Sequence, residues 1–425
     1  MKQLAKLWAP SPRSGPVDVV LAAIVIALLG FGVVMVYSSS VIEATEVFRD
    51  PQYFLKRQAV YAGLGMVVMF AMSRFDYHKL RAFTYPILAG VTVLLVLSIV
   101  GFGHTGGGAT RWLKLGPVNL QPSELAKVGL VLWLAYSLDK KGEKVKSFSV
   151  GMLPHVIISG MLVLLCLKQP DFGGAVVLLF LTFTMLFVAG ARFEFLLGGA
   201  IIGSLGAYVL VRFKEYRWER MVAWLNMSEH RQDLAYQPFQ SVMSFGSGEL
   251  TGLGLGKGLQ VLYLPEAHTD FISAIIGEEL GFIGILALAG VYLWIVIRGV
   301  RAALSAEDDY GSFVAFGLSV LFGVQALVNM GVAMSVLPTK GLTLPFVSYG
   351  GSSLMANAVA MGILLNISRS RAPATNARRA GAGSGPEPEA SAVLVTEAAF
   401  APERPRKQAK RAGEPEPNVS VPEGA

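Results

Sequence analysis

A chain of 425 residues that is 53% hydrophobic and only 15% charged, with a mean hydropathy of +0.54, falls outside the soluble globular class, in which roughly a quarter of residues carry charge. A formal net charge of +7 would suit a nucleic-acid partner, but the basic residues collect in short segments such as RFDYHKLR (Arg74 to Arg81) and DKKGEKVK (Asp139 to Lys146). That is the pattern of short cytoplasmic loops between membrane spans and not a continuous basic face, which argues against nucleic acid.

In chain order, Lys2, Lys6 and Arg13 precede the first apolar run. That run, DVVLAAIVIALLGFGVVMVY from Asp18 to Tyr37, carries no charge after Asp18. About 20 such residues cross a bilayer as a helix. It is too long for the core of a cleaved signal peptide and reads as a retained first span. Candidate spans follow at about 18–40, 58–73, 82–101, 122–138, 150–167, 173–190, 193–212, 271–298, 311–335 and 344–367. Runs this long and continuous suit helices and not barrel strands. The fold class predicted is therefore an all-α polytopic membrane protein of about ten transmembrane helices, with a long extracytoplasmic loop between spans 7 and 8. An even number of spans puts both ends on one side. The flanking Lys2, Lys6, Arg13, Arg369, Arg371, Arg378 and Arg379 make that side the cytoplasm. The lone cysteine, Cys166, lies inside the fifth run, so no internal disulfide can form and a buried thiol is expected.

Of the connections this topology sends outside, four are of interest: 102–121, Lys168 to Phe172, 213–270 and 336–343. The third is long yet rich in Trp, Tyr, Phe and Leu, which points to function and not to disorder. Within it, RFKEYRWERMVAWLNM (Arg212 to Met227) alternates basic and aromatic residues at the spacing of a helix lying on a membrane surface. GLGLGKG (Gly252 to Gly258) lacks the spacing and the Ser or Thr of a phosphate loop and is expected to be a close-packed turn. Residues 1–17 are read as a cytoplasmic segment and 18–368 as the membrane domain. Residues 369–425, rich in Pro, Gly, Ala and mixed charge, are read as a disordered cytoplasmic tail.

Ionisable groups gather where apolar helix meets water. In LPEAHTDF, Glu266, His268 and Asp270 crowd just before an apolar run. A plain reading makes Thr269 or Asp270 the cap of the next helix; that accounts for one carboxylate and leaves Asp270 or Glu266 as a candidate for chemistry. Glu278 and Glu279 lie inside the same run, where acids are costly. They either fix helix packing or line a polar cavity. Glu124 and Lys127 in QPSELAKVGL stand one turn apart and could pair on one face. HTGGGATRWLKLGPVNLQPSEL offers Arg111 and Lys114 near the outer face, and LPTKGLTLPFVSYGGSS offers Lys340. The surrounding Gly, Pro and Ser permit broken helices and exposed amides, which suit anionic groups.

ATRWLKLGPVNLQPSELAK, LPEAHTDFISAIIGEELG and LPTKGLTLPFVSYGGSS, in this order across residues 18–368, resemble the SEDS (shape, elongation, division and sporulation) family. TKGLTLP is closer to the division branch of that family than to its elongation branch. One departure is Ser335, where the family pattern that starts at Asn329 usually has glycine. The resemblance implies a peptidoglycan glycosyltransferase of the bacterial inner membrane at the division septum. Such an enzyme polymerises lipid II, an undecaprenyl-diphosphate-linked disaccharide peptide, beside a class B penicillin-binding protein and other divisome proteins. It implies that Asp270 is the catalytic carboxylate, with Arg111, Trp112 and Lys340 handling substrate alongside Glu266 and His268. Glu124 and Lys127 then match polar positions of the central cavity, with Glu278 and Glu279 as further candidates. A divalent cation, Mg or Mn, could assist; no organic cofactor is expected. The rival readings are a lipid II flippase, which the broken segments and intramembrane acids suit equally, and a scaffold without catalysis. The carboxylate cluster argues against the flippase, because it lies at the edge of the spans and not at their midplane.

Overall fold

The computed structural model of the chain describes residues 15–100, 103–106, 109–115, 118–213, 215–339 and 341–369. The proposed disordered tail beyond 369, the cations Lys2, Lys6 and Arg13, and Lys340 lie outside the described residues.

The chain opens with α1 (Val19–Phe48), α2 (Tyr53–Arg74) and α3 (His78–Ile99). Three short strands follow, β1 (Gly103–Gly106), β2 (Ala109–Leu115) and β3 (Val118–Leu120), and then α4 (Pro122–Lys141). A π-helical turn at Phe148–Met152 leads into α5 (Leu153–Lys168), followed by α6 (Phe172–Val188) and α7 (Phe193–Arg212). The long connection contains α8 (Glu215–Leu225) and α9 (Tyr236–Gly248). Finally come α10 (Ile272–Leu304), α11 (Asp309–Ala333) and α12 (Gly351–Ile367). Each apolar run read from the sequence falls on a helix. By length and composition α1, α3, α5 with its π turn, α7, α10 and α11 can each cross a membrane, and α6 and α12 are shorter apolar helices. The molecule is a polytopic helical membrane protein.

Burial follows the sequence. The middle of α4, LAKVGLVLWLA, is apolar nearly all round apart from Lys127 and is buried on every side, as is most of α12. In contrast, the apolar window of α7 is only 6% buried, so this helix stands at the edge of the bundle. At one end of the bundle, Asp18 caps α1 by accepting from the Leu21 amide at 3.0 Å. Asp18 Oδ2 also meets Arg298 Nε at 3.2 Å, and its amide donates to Ser368 Oγ at 3.2 Å. One residue thus ties together α1, α10 and the end of α12.

The 102–121 connection, expected as loop, is a three-stranded antiparallel meander in the order β1-β2-β3. Its pairs include Gly103 with Leu113, His104 with Trp112 and Lys114 with Asn119. The alternation in ATRWLKL is the sequence signal for β2. The last span also starts later than expected. Residues 344–350 are not helical; here the Leu344 amide donates to Ser348 Oγ at 2.8 Å, and that hydroxyl donates to Thr269 O at 2.7 Å. Pro345 and Gly350 explain why an apolar stretch does not continue as helix.

Inside α10 the backbone breaks at Gly281, where φ is 67° and ψ −169°. The glycine-rich turn fills this break. Leu253 and Gly254 amides donate to Glu278 O and Glu279 O, both at 3.0 Å, while Phe282 and Ile283 amides donate to Glu249 O at 2.9 Å and Leu250 O at 3.2 Å. An apolar surrounding offers no water for such groups, so the loop supplies their partners. The approach demands missing side chains: a Cβ on Gly252 would lie 2.2 Å from Glu279 O, and one on Gly281 would lie 2.4 Å from the Gly252 amide nitrogen. GLGLGKG is the close-packed turn the sequence suggested.

The surface helix expected over Arg212 to Met227 is α8, and it is held at both ends. The Arg217 guanidinium sits 4.4 Å from the Phe172 ring centroid, and Trp224 Nε1 donates to Ser335 O at 2.9 Å. Ser335 has φ 56°, in the left-handed region. The family's glycine there therefore reflects backbone conformation, and not merely small size. A non-glycine residue in that region costs about 1–2 kcal/mol, against roughly 0.5–1 kcal/mol for the extra freedom glycine loses on folding. The Ser335 hydroxyl is also buried without a partner. Ser335→Gly is accordingly expected to raise the thermal unfolding midpoint of the detergent-solubilised protein, by about 1 kcal/mol of stability; an unchanged or lower midpoint would contradict this account.

Candidate active site

Asp270 lies just before the first turn of α10, and the local backbone decides what it can do. The helix begins at Ile272 with Phe271 in the capping position and no side-chain cap. Neither Thr269 nor Asp270 caps the helix, which corrects the plain reading of this segment. Thr269 Oγ1 instead donates to Glu266 Oε2 at 2.7 Å, closing a tight turn in which Glu266 takes a φ of 57°. The Phe271 amide completes the turn by donating to Glu266 O at 3.3 Å. The Asp270 carboxylate is left without a hydrogen-bond donor among the described residues.

What surrounds it are charges and a glycine. A Cβ on Gly341 would stand 2.8 Å from Asp270 Oδ2 and 3.4 Å from Arg111 Nη1, so both groups flank the same point on the last loop. Arg111 comes from β2 and is steadied by Nη2 donating to Pro170 O, while its Nε is buried with no partner. No ion pair closes between Arg111 and Asp270 among the described residues. Burial, reinforced by the neighbouring Glu266 carboxylate, pushes Asp270 up to about 7, with Arg111 pulling the other way. A carboxyl poised near neutrality, with no donor among the described residues to stabilise its charge, is matched to taking a proton.

Asn329 of α11, which sequence reasoning did not single out as a site residue, holds this arrangement. Its Nδ2 donates to Asp270 O at 2.9 Å and to Leu342 O at 2.6 Å, and its Oδ1 accepts from Ser273 Oγ at 2.8 Å. One amide therefore fixes the Asp270 backbone, the first turn of α10 and the loop carrying Gly341. An asparagine deep in the apolar run VQALVNMGV was the available signal. Asp171, also unremarked, caps α6 by accepting from the Gly174 amide at 2.9 Å, and its charge reaches Asp270.

The other candidates divide into those beside Asp270 and those apart from it. His268 is 5% exposed, its ring packed against Phe54 at 4.4 Å and Tyr349 at 5.5 Å. Burial pushes its pKa down, which leaves a neutral imidazole 3.4 Å from Glu43 Oε2. The ring braces the loop. Trp112 follows Arg111 directly on β2, where the ladder with β1 shifts register: Trp112 pairs with His104 and Thr110 with Thr105, so Arg111 is the extra residue of a bulge. Lys340 lies outside the described residues, next to Gly341. Glu124 and Lys127 pair at 2.7 Å, both buried, and Ser353 Oγ donates to Glu124 Oε2 at 3.1 Å. Thr343 and Ser353 hydroxyls share a hydrogen at 2.7 Å, which continues this polar chain from α4 through α12 to the loop after Gly341.

Glu278 and Glu279 serve the helix break. Glu278 Oε1 accepts from the amides of Leu259 at 2.8 Å and Gln260 at 3.1 Å, and Glu279 Oε1 accepts from Ser38 Oγ of α1. This is the packing role the sequence offered as one of two readings. Among the described residues no three His, Cys, Asp or Glu side chains converge so as to hold a metal ion. The donor set thus does not form a protein cage for a divalent cation.

Residues 19–372 match the model of the FtsW/RodA/SpoVE family of cell cycle proteins. A probable peptidoglycan glycosyltransferase FtsW from Geobacter metallireducens is 48% identical over 353 residues, covering 83% of this chain and 94% of that protein. Stage V sporulation protein E of Bacillus subtilis is 41% identical over 359 residues, covering 83% and 97%. Among solved structures, a chain of a peptidoglycan synthase complex, studied for the structural coordination of polymerization and crosslinking, superposes with a TM-score of 0.70 at 33% identity, covering 84% of this chain and 99% of that one. The rod shape determining protein RodA of Thermus thermophilus gives 0.63 at 31% identity, covering 84% and 98%. With a family model spanning nearly all of the membrane domain and relatives this similar over most of their length, the chain belongs to the FtsW/RodA/SpoVE family, the SEDS proteins.

Proposed function

We infer that this chain is a peptidoglycan glycosyltransferase that polymerises lipid II into β-1,4 glycan strands during septal wall synthesis, with Asp270 as general base. The observation that carries this reading is the Asp270 carboxylate, pushed up to about 7, lacking a donor among the described residues and facing Gly341 beside Arg111. Lipid II is amphiphilic, with its tail in the bilayer and its sugars outside, so its reacting atoms sit where apolar helices meet water. In the reaction, Asp270 removes the proton from the 4-hydroxyl of the acceptor sugar as that oxygen attacks the anomeric carbon of the donor. The bond to the α-linked diphosphate breaks, its electrons leave with the diphosphate, and configuration inverts to β. A single displacement needs one base, in contrast to the paired carboxylates of a retaining glycosidase. Arg111 and Lys340 supply positive charge for the departing diphosphate.

The family relationship and the basic residues flanking the spans support ten spans in the bacterial inner membrane, with both termini in the cytoplasm and the Asp270 end outside. Likeness to a chain of a peptidoglycan synthase complex supports a class B penicillin-binding protein as partner, with other divisome proteins around it.

Asp270→Asn is expected to lower lipid II polymerisation by about a hundredfold or more, assayed with the purified protein and its penicillin-binding partner. A folded, partner-binding variant that polymerises normally would remove Asp270 from the chemistry. If wild type also makes no glycan, a translocation assay for a flippase becomes the next measurement, and a scaffold follows if that fails too.

Because the base works ionised and its pKa is raised, activity should rise with pH along an acid limb centred near 7 and level off above it. Glu266→Gln removes a like charge, so this limb should move to lower pH; a limb that stays in place would mean that another group titrates.

Asn329→Ala leaves two buried carbonyls without their donor. It is expected to cut kcat about tenfold or more with little change in KM. Equal losses in both parameters, or in folded yield alone, would count against a positioning role.

A further inference from the structure

At the end of the bundle away from Asp270, the connection between α4 and α5 meets the start of α7. A cavity of about 390 Å³ opens there, lined by Glu143, Lys146, Ser147, Phe148, Arg192 and Phe195. We propose that this cavity binds the phosphate headgroup of an anionic phospholipid, in the leaflet at that end of the bundle. The proposal is independent of the catalytic reading above.

The charges fit a phosphodiester. The carbonyl of Arg192 accepts from the Phe195 and Leu196 amides, but its guanidinium makes no ion pair or hydrogen bond among the described residues. Lys146 has only a long contact with Glu143, 4.0 Å, and the Glu143 side chain is 94% exposed at the rim. Glu143 can therefore swing into solvent when an anion arrives. Lys140 and Lys141, the last residues of α4, and Lys144 in the connection add to the positive potential at this end of the bundle.

Phe148 and Phe195 meet edge to face at 5.4 Å and form the apolar side of the cavity. Both helices that lead away from it carry exposed apolar side chains: Val156, Ile157 and Leu164 on α5, and Leu197, Ile201 and Ile202 on α7. With its apolar window only 6% buried, α7 faces the bilayer and offers apolar surface for acyl chains on the helix that Arg192 precedes. A soluble anion would use the cations but leave that surface unoccupied. Cations at a helix boundary beside an apolar surface are the arrangement by which membrane proteins hold anionic headgroups.

The test is native mass spectrometry of the purified full chain titrated with phosphatidylglycerol or phosphatidylcholine. Removing a surface cation should weaken phosphatidylglycerol binding by about fivefold each. Arg192→Gln and Lys146→Gln each show that loss, and the double variant about 25-fold, with phosphatidylcholine binding unchanged. Both side chains are exposed, so folding should survive. Arg301→Gln, a cation near the same end but outside the cavity, should change occupancy less than twofold. The proposal is overturned if the double variant binds phosphatidylglycerol like wild type, or if Arg301→Gln loses as much. It is also overturned if millimolar inorganic phosphate displaces the lipid, since that identifies a site for soluble anions.

Discussion

The three hydrogen bonds of Asn329 are the interaction on which this site depends. The loop before α10 and the loop before α12 lie far apart in sequence, and neither has regular secondary structure to fix it. Asn329 uses both amide hydrogens and its oxygen to bind Asp270 O, Leu342 O and Ser273 Oγ. In an apolar surrounding each of those groups would otherwise go unpaired, at a cost of about 1–3 kcal/mol. The same bonds that satisfy the backbone therefore set the distance between the carboxylate and the opposite wall. Ser348, donating to Thr269 O, repeats the device one residue earlier.

The electrostatics follow from this placement. A carboxylate used as a helix cap would be stabilised in its charged form by amide donors, and its pKa would fall. Here capping is absent, Thr269 is spent on Glu266, and Glu266 adds a second negative charge nearby. Arg111 is close enough to matter but is anchored to Pro170 O. The result is a group whose ionised form is, among the described residues, neither paired nor fully solvated. The Glu124–Lys127 pair is the opposite case, a buried ion pair closed on itself and extended by Ser353 and Thr343.

The sequence made the helices legible because apolar runs of twenty residues have few alternatives in a bilayer. It also made LPEAHTD legible as a cluster at a helix edge. Less visible were features that depend on partners distant in the chain. The meander at 103–120 was hidden by its glycines and by its short strands, although ATRWLKL alternates. The start of α12 was misplaced because LPFV is apolar, yet Pro345 and Gly350 prevent helix. Asn329 looked like one polar residue in a span until the loops it binds were in place. At Ser335 the family's glycine answers to a left-handed backbone, which no sequence pattern displays.

The glycine-rich turn in the long connection looks like the part of the chain most open to change. It is polar, close to the surface and without regular structure. Its packing against the broken α10 reverses that impression. Gly248 lies against Gly277, Gly252 against Glu279, Gly258 against the Glu278 carboxylate, and Gly281 against Gly252 and Leu250. Each of these positions is tolerable only because the one facing it is bare backbone or a fixed acid. Where the facing group is backbone, drift at one position cannot be absorbed by a compensating change at its neighbour, since there is no side chain to shrink. Over evolutionary time this turn should therefore behave like a buried core, varying least where composition alone would suggest it varies most.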